Sequence, residues 1–189
     1  MKGKLRLLSG KILESPLTNE TRPTTSKVRE AIINIIGTKL KEACWLDLCS
    51  GSGVMACEAL HKGVKKILAI EKQRSTSRIC KKNLIEVSKT IIHDVQIQVI
   101  CREVISFLKK GPKAHEIELN KTSQSFDKKF DFIFLDPPYQ SELYELSQEL
   151  LLTKKWIKKS STLICECSSN SLPRIHNGWE LNKKKVYGK

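Results

Sequence analysis

The chain has 189 residues and carries 34 Lys and Arg against 20 Asp and Glu, a formal net charge of +14. At roughly 150 residues per domain it fits one domain over 1–189, with 1–22 as an N-terminal extension. A hydrophobic fraction of 40% excludes a disordered chain. No apolar run approaches the roughly 18 residues of a membrane span. Gly10 and Lys11 interrupt the N-terminal apolar stretch before it reaches the about 7–15 residues of a secretory signal, so a cytoplasmic location is expected.

The extension Leu5–Leu13 reads as two short strands around the Ser9-Gly10 turn, a β-hairpin. Pro16 and Pro23 punctuate an irregular stretch. Thr24, Thr25 or Ser26 then caps a helix whose apolar positions are Val28, Ala31, Ile32, Ile35 and Ile36, ending near Gly37. From Cys44 strands and helices alternate. Strands are expected at 44–48, 66–70, 95–101, 130–135 and 163–167. Helices are expected at 54–62, 74–88, 104–109 and 143–154, the last with Leu143, Leu146, Leu150 and Leu151 on one side. Such units imply an α/β fold, a mostly parallel sheet with helices on both faces. The polar stretch from Lys110 to Lys129, with Gly111-Pro112, reads as a solvated surface loop; contact with nucleic acid is the alternative.

The seven cysteines include no C-x-x-C pair. They read as small buried thiols in a reducing compartment, and no metal site is expected. The positive charge favours a polyanionic partner. A monomer with no membrane partner is the expectation.

Ligands of an open parallel sheet bind outside the carboxyl ends of its strands. Three motifs fall there: Asp47-Leu48-Cys49-Ser50-Gly51-Ser52-Gly53, Glu71, and Asp136-Pro137-Pro138-Tyr139. The glycines let backbone approach a ligand closely. Gly51-x-Gly53-x-x-Ala56 with Glu71 also fits a dinucleotide fingerprint, so an NAD-dependent oxidoreductase has to be weighed. Asp47 argues against it, since a carboxylate there faces a pyrophosphate unfavourably. It suits a ligand with a positive centre and an ammonium group, as S-adenosylmethionine has. The histidines His61, His93, His115 and His176 also offer no hydride-site partner.

The two prolines after Asp136 remove N–H donors and hold the backbone extended, leaving the Asp136 carboxylate and the Pro137 carbonyl as acceptors. Acceptors alone suit an exocyclic amino group, and Tyr139 can stack on a base. Holding both amino hydrogens favours a pyramidal nitrogen whose lone pair can be aimed at a methyl.

These motifs match the Rossmann-like, S-adenosylmethionine-dependent amino-methyltransferases. Together with Leu5–Gly10 and Arg22-Pro23-Thr24-Thr25-Ser26-Lys27-Val28-Arg29-Glu30, the chain from about Leu5 to Asn182 resembles the RsmD family, bacterial methyltransferases acting on guanine N2 in small-subunit ribosomal RNA. The resemblance implies that Asp47, Ser50, Gly51 and Gly53 line the cofactor, that Glu71 takes its ribose hydroxyls, and that Asp136 to Tyr139 hold the target base. Arg22 and Thr24 would lie across the cofactor. Glu103 would stand where the family offers Asp or Asn to adenine. The family also ends in a further antiparallel strand, whereas this chain stops shortly after Val186, so that strand is missing or replaced.

Lys4, Arg6 and Lys11 in the hairpin, with Arg22, Lys27 and Arg29, suggest a phosphate-facing patch. Lys72, Arg74, Arg78, Lys81 and Lys82 read as the solvated face of a helix. The rival readings are an adenine-N6 methyltransferase on DNA or RNA and a non-catalytic RNA-binding protein. A cytosine-C5 enzyme needs a nucleophilic cysteine, and none adjoins Asp136–Tyr139.

Overall fold

Five apolar runs become strands in the computed structural model, which describes residues 5–16, 24–119 (backbone only for 113–119), 129–138 and 142–187. They are β1 (Cys44–Leu48), β2 (Lys66–Glu71), β3 (Gln96–Cys101), β4 (Phe130–Leu135) and β5 (Ile157–Cys165), all parallel, in the order β3-β2-β1-β4-β5. Every residue of β1 and β2 is buried, as expected of strands covered on both faces. The helices are α1 (Ser26–Ile36), α2 (Val54–His61), α3 (Arg74–Ser88), α4 (Val104–Leu119) and α5 (Leu143–Thr153).

Alternation along β1 divides the core. Trp45 faces α1, α2 and α3, where it stacks on Phe132 and Phe134 at centroid distances of 6.4 and 6.3 Å. Leu46 and Leu48 face α4 and α5, with Phe107 and Trp156 packed at 4.7 Å.

In the N-terminal extension a single antiparallel bridge joins Arg6 to Ile12, where two strands are expected. Gly10 takes a φ of 87° in the turn, and Leu5, Leu7 and Leu13 pack into the α1–α3 side of the core.

Four expectations are corrected. Of the stretch from Lys110 to Lys129 expected as loop, residues 110–119 belong to a helix, and 120–128 lie outside the described residues. Gly111 adopts φ 72° and ψ 163°, a break in α4, and Pro112 starts the next turn, a position proline favours because the N–H it lacks would have no helical partner. Second, β5 begins at Ile157 rather than Leu163 and ends at Cys165. The polar run Lys158-Lys159-Ser160-Ser161 hides its start, because the β4–β5 register shifts there: Phe130 pairs with Ile157 but Phe132 with Thr162. The Ser161 hydroxyl, donating to the Phe130 carbonyl at 2.6 Å, satisfies the interrupted ladder.

Third, α1 buries Arg29, Ile33 and Ile36, and leaves Ile35 at 42% exposure. Fourth, on α5 Leu146 is exposed while Tyr144, Ser147 and Gln148 are buried. Gln148 anchors the segment after β5. It donates to the Arg174 carbonyl and accepts from the His176 amide and, at its backbone, from the Trp179 indole. No described residue beyond Cys165 forms a strand, and β5 is a sheet edge.

Candidate active site

The chain winds from β1 through β2 to β3 on one side, then returns to place β4 on the other side of β1. Strand order therefore reverses between β1 and β4, where an open α/β sheet forms its ligand crevice. Asp47 lies one residue before the end of β1, opposite Ala69 of β2 and Phe134 of β4. Glu71 closes β2, and Asp136 follows β4 directly. The three carboxylates share one electrostatic neighbourhood: Asp136 and Glu71 both act on Asp47, and all three act on Cys49.

Between β1 and α2 the backbone turns through left-handed conformations at Cys49 (φ 61°), Gly51 (φ 53°) and Gly53 (φ 76°). At Gly53 a Cβ would stand 2.7 Å from the Cys80 sulfur of α3, so glycine is required by both conformation and space. Glu71 ties the turn down. One carboxylate oxygen accepts from the Gly51 amide and the other from the Gln73 amide, each at 2.9 Å. From α3, the Asn83 side-chain amide reaches both the Ser52 and Glu14 carbonyls at 2.9 Å, joining the turn to the N-terminal extension. Ser50 is buried, its hydroxyl 3.6 Å from the Cys80 sulfur.

Asp47 is 1% exposed, and both its carboxylate oxygens lack a hydrogen-bond partner among the described residues. Burial pushes its carboxyl up to about 8. The Trp45 indole and the Ala56 amide pull the other way without reaching hydrogen-bond geometry, and Asp136 and Glu71 push it higher still. An unpartnered buried carboxylate is costly; a cation seated beside it removes that cost. The donor set thus fits the positive end of S-adenosylmethionine, and it does not fit a pyrophosphate.

The half-buried Asp136 carboxyl is likewise raised, to about 7, by burial and by the charge of Glu166 just after β5. The Thr24 hydroxyl offsets part of this by donating to Oδ2 at 3.3 Å. Pro137 is buried and Pro138 exposed. Burial and the surrounding carboxylates push the Cys49 thiol up to about 12, which leaves it protonated and a poor nucleophile.

Thr24 is itself held by Arg29, which the sequence places in a phosphate-facing patch, and through it by Glu58, which the sequence pattern does not single out. Its carbonyl accepts from the Arg29 guanidinium at 2.7 Å, and Arg29 also donates to the Glu58 carboxylate at 3.2 Å and the Arg6 carbonyl at 2.5 Å. Glu58, on α2, accepts from the Leu8 amide as well, at 2.9 Å. The Arg29–Glu58 pair is buried, both side chains at 4% exposure. Arg29 therefore does not belong to a surface phosphate patch: it is the internal fork joining the extension, α1 and α2. A planar group with five donors suits that task, whereas a lysine does not. An arginine interrupting the apolar stripe of α1 was the signal available.

Glu103 is fixed at the start of α4. Both its oxygens cap α4, accepting from the Ile105 and Ser106 amides at 2.8 and 2.7 Å. Burial would raise its carboxyl, but these amides outweigh it and hold it below the usual value. Lys27 is exposed; so is Arg6, which bonds the Gly10 carbonyl. Lys11 reaches the Glu86 carbonyl at 2.5 Å. Lys72, Arg74, Arg78, Lys81 and Lys82 are all exposed, Lys82 paired with Glu14. Tyr139, Arg22 and Lys4 lie outside the described residues. All seven cysteines are free.

Comparisons with known proteins agree with this geometry. The chain is 32% identical over 188 residues to Ribosomal RNA small subunit methyltransferase D of Buchnera aphidicola subsp. Baizongia pistaciae, covering 96% of this chain and 86% of that protein. It is 28% identical over 191 residues to the Escherichia coli K12 protein of the same name, covering 98% and 86%. In structure it is similar to yhhF of Escherichia coli, with a TM-score of 0.75, 26% identity and 98% and 93% of the two chains covered. HI0767 of Haemophilus influenzae gives a TM-score of 0.72 at 26% identity, with 98% and 94% covered. The family model described as Conserved hypothetical protein 95 matches residues 3–189. With that match spanning nearly every residue, and relatives that are ribosomal RNA methyltransferases, the chain belongs to the Conserved hypothetical protein 95 (RsmD) family of methyltransferases.

Proposed function

We propose that this chain transfers a methyl group from S-adenosylmethionine to the exocyclic N2 of a guanine in small-subunit ribosomal RNA. The observation that carries the reading is the pairing, across the β1/β4 reversal, of an unpartnered buried carboxylate at Asp47 with an acceptor-only turn at Asp136-Pro137-Pro138. The name shared by the curated relatives supports ribosomal RNA as the substrate class.

When bound, the cofactor supplies an electrophilic methyl on a sulfonium. Asp47 would hold its positive end, with the Gly51–Gly53 turn allowing close backbone approach. Each Glu71 oxygen spends one lone pair on an amide, which leaves acceptor capacity for ribose hydroxyls. Ser50 and Thr24 would close the site from either side.

The amino nitrogen of guanine is a weak nucleophile because its lone pair is delocalised into the ring. The Asp136 carboxylate and the Pro137 carbonyl would accept its two hydrogens and turn the lone pair out of the ring plane, a matter of orientation and electrostatics. As the nitrogen gains the methyl it must lose a proton, and a carboxyl near 7 at Asp136 suits it to receive that proton at neutral pH. The target base must leave its stack to reach this turn, and Tyr139 would stack on it there. The hairpin residues Lys4, Arg6 and Lys11, with Arg22 and Lys27, would meet the RNA backbone.

The test incubates the protein with labelled S-adenosylmethionine and small ribosomal subunits lacking the modification, then maps the labelled base. Label on a guanine N2, lowered about 100-fold or more by Asp136→Ala with cofactor affinity within a few-fold, is expected. Undiminished turnover in that variant removes Asp136 from the mechanism.

A further inference from the structure

The outer face of α1 and the segment after β5 enclose a groove of about 390 Å³ lined by Lys27, Glu30, Asn34, Ile35, Lys183 and Lys185. With Ala31 the lining is seven residues, of which three are basic and one is acidic. None of them belongs to the crevice between β1 and β4.

We infer that this groove docks the RNA backbone beside the target nucleotide, a reading that rests on the proposed RNA substrate and extends it to a second surface. Position is the first argument. Lys27, in the first turn of α1, lies three residues beyond Thr24, whose hydroxyl touches Asp136, so the groove begins a few residues from the rim. A base drawn into the site carries its flanking phosphates over that rim.

Dimensions are the second. Lys27 to Ile35 covers nine residues of α1, about 12 Å over eight rises of 1.5 Å, enough for about three phosphates of one strand, whose charges advance about 3.4 Å each along a duplex axis. Chemistry is the third. Lys27 on α1 and Lys183 and Lys185 on the segment after β5 suit phosphates without reading sequence. Tyr187, two residues past Lys185 and 41% exposed, offers a ring on which a neighbouring base can stack.

A chain of net charge +14 attracts RNA everywhere, so the test needs a second basic surface of equal charge change. One exists at the opposite, amino-terminal rim of the sheet, in a cavity lined by Lys39, Lys41, Lys65 and Lys158 among others. The double variants Lys183→Glu/Lys185→Glu and Lys39→Glu/Lys41→Glu alter net charge identically. Binding of polyuridylate is measured by fluorescence anisotropy from 50 to 300 mM KCl, beside methylation of unmodified small subunits, with thermal melts to show that each variant is folded.

The groove variant is expected to lower the slope of log affinity against log salt by about 1.4, two single-strand contacts at about 0.7 each. It should raise KM for subunits several-fold with kcat little changed, and the amino-rim variant should leave the salt slope near wild type. Equal losses from the two variants would mean a general field and overturn the groove. So would unchanged polyuridylate binding with impaired methylation of subunits, which would assign the groove to a protein of the particle. Polymer binding through the groove without methyl transfer to any subunit would uphold the groove and sink the functional reading alone.

Discussion

The Thr24 hydroxyl donates to Oδ2 of Asp136 at 3.3 Å, linking positions 112 residues apart in the chain. Thr24 stands just before α1 and Asp136 just after β4, so one hydrogen bond fixes the N-terminal segment to the turn proposed to hold the target base.

That bond has a pH signature. The Asp136 carboxyl is raised to about 7 by burial and by Glu166, and Thr24 favours its charged form. Asp47, Cys49 and Tyr144 also lie within electrostatic reach of it. The carboxylate needed to accept amino hydrogens is lost as pH falls through about 7, which gives an acid limb in kcat. Thr24→Val removes a contribution that lowers the value, so its limb should move to higher pH, while Thr24→Ser should restore the wild-type profile. An unmoved limb in Thr24→Val would show that the hydroxyl does not set the charge of Asp136.

The Arg29–Glu58 pair makes a separate prediction about stability. Arg29 serves three acceptors while buried, and Glu58 also takes the Leu8 amide. Removing one partner leaves an uncompensated internal charge, so Arg29→Met or Glu58→Leu alone should cost about 3–5 kcal/mol. The double variant should be less destabilised than the sum of the two, because no lone charge remains. Urea denaturation of the four proteins decides this, and strictly additive losses would mean that the pair is not coupled.

Asp47 trades stability for binding. A carboxyl whose folded value is raised costs stability only above its unfolded value, so the cost grows as pH rises from about 4 toward 8. Asp47→Asn should raise Tm of the ligand-free protein by several degrees at pH 8 and by less at pH 5. The same variant should weaken cofactor binding and flatten its pH dependence, leaving the smaller part due to Asp136. In wild type a bound cation stabilises the charged carboxylate, so binding releases a proton below pH 8, and affinity rises by up to about tenfold per pH unit toward that value. Calorimetry in buffers of different ionisation heats reads the proton directly.

Glu71→Gln keeps one acceptor oxygen but turns a carboxamide NH2, a donor, toward one of the two backbone amides, Gly51 or Gln73, that the carboxylate now satisfies. It should weaken S-adenosylmethionine binding about tenfold or more in calorimetry. An unchanged constant would displace Glu71 from the ribose.

The sheet and its rim were legible because both follow from strong local signals. Nearly continuous apolar runs point to β1, β2 and β4, and acids at strand ends, with a glycine turn after the first, point to Asp47, Glu71 and Asp136. The misses share a cause, since polar residues there serve internal partners that the sequence does not name. Arg29 is charged yet buried because Thr24, Arg6 and Glu58 surround it. At Glu103 the sequence reading overlooks the helix cap that its spacing to Ile105 and Ser106 supplies, beside the adenine contact the resemblance implies. Lys158 to Ser161 break the apolar pattern of β5 because the strand bulges there. At Gly111-Pro112 the usual reading as a helix terminator was half right: the helix breaks, then resumes.

The contact between Gly53 and Cys80 allows backbone strain and steric exclusion to be separated. Gly53 sits at φ 76°, ψ 17°, and a Cβ there would lie 2.7 Å from the Cys80 sulfur and 3.5 Å from its Cα. Gly53→Ala should therefore suffer twice: about 1–2 kcal/mol for left-handed backbone, and a clash besides. Cys80→Ala removes the sulfur and leaves a small cavity, an independent cost. In Gly53→Ala/Cys80→Ala the new methyl partly fills that cavity, so the double variant should be more stable than the two single losses predict, yet still short of wild type by the backbone term. Urea midpoints of the four proteins measure the coupling. A double variant no better than additive would mean that α3 yields to the methyl, and that the glycine is required for its φ alone.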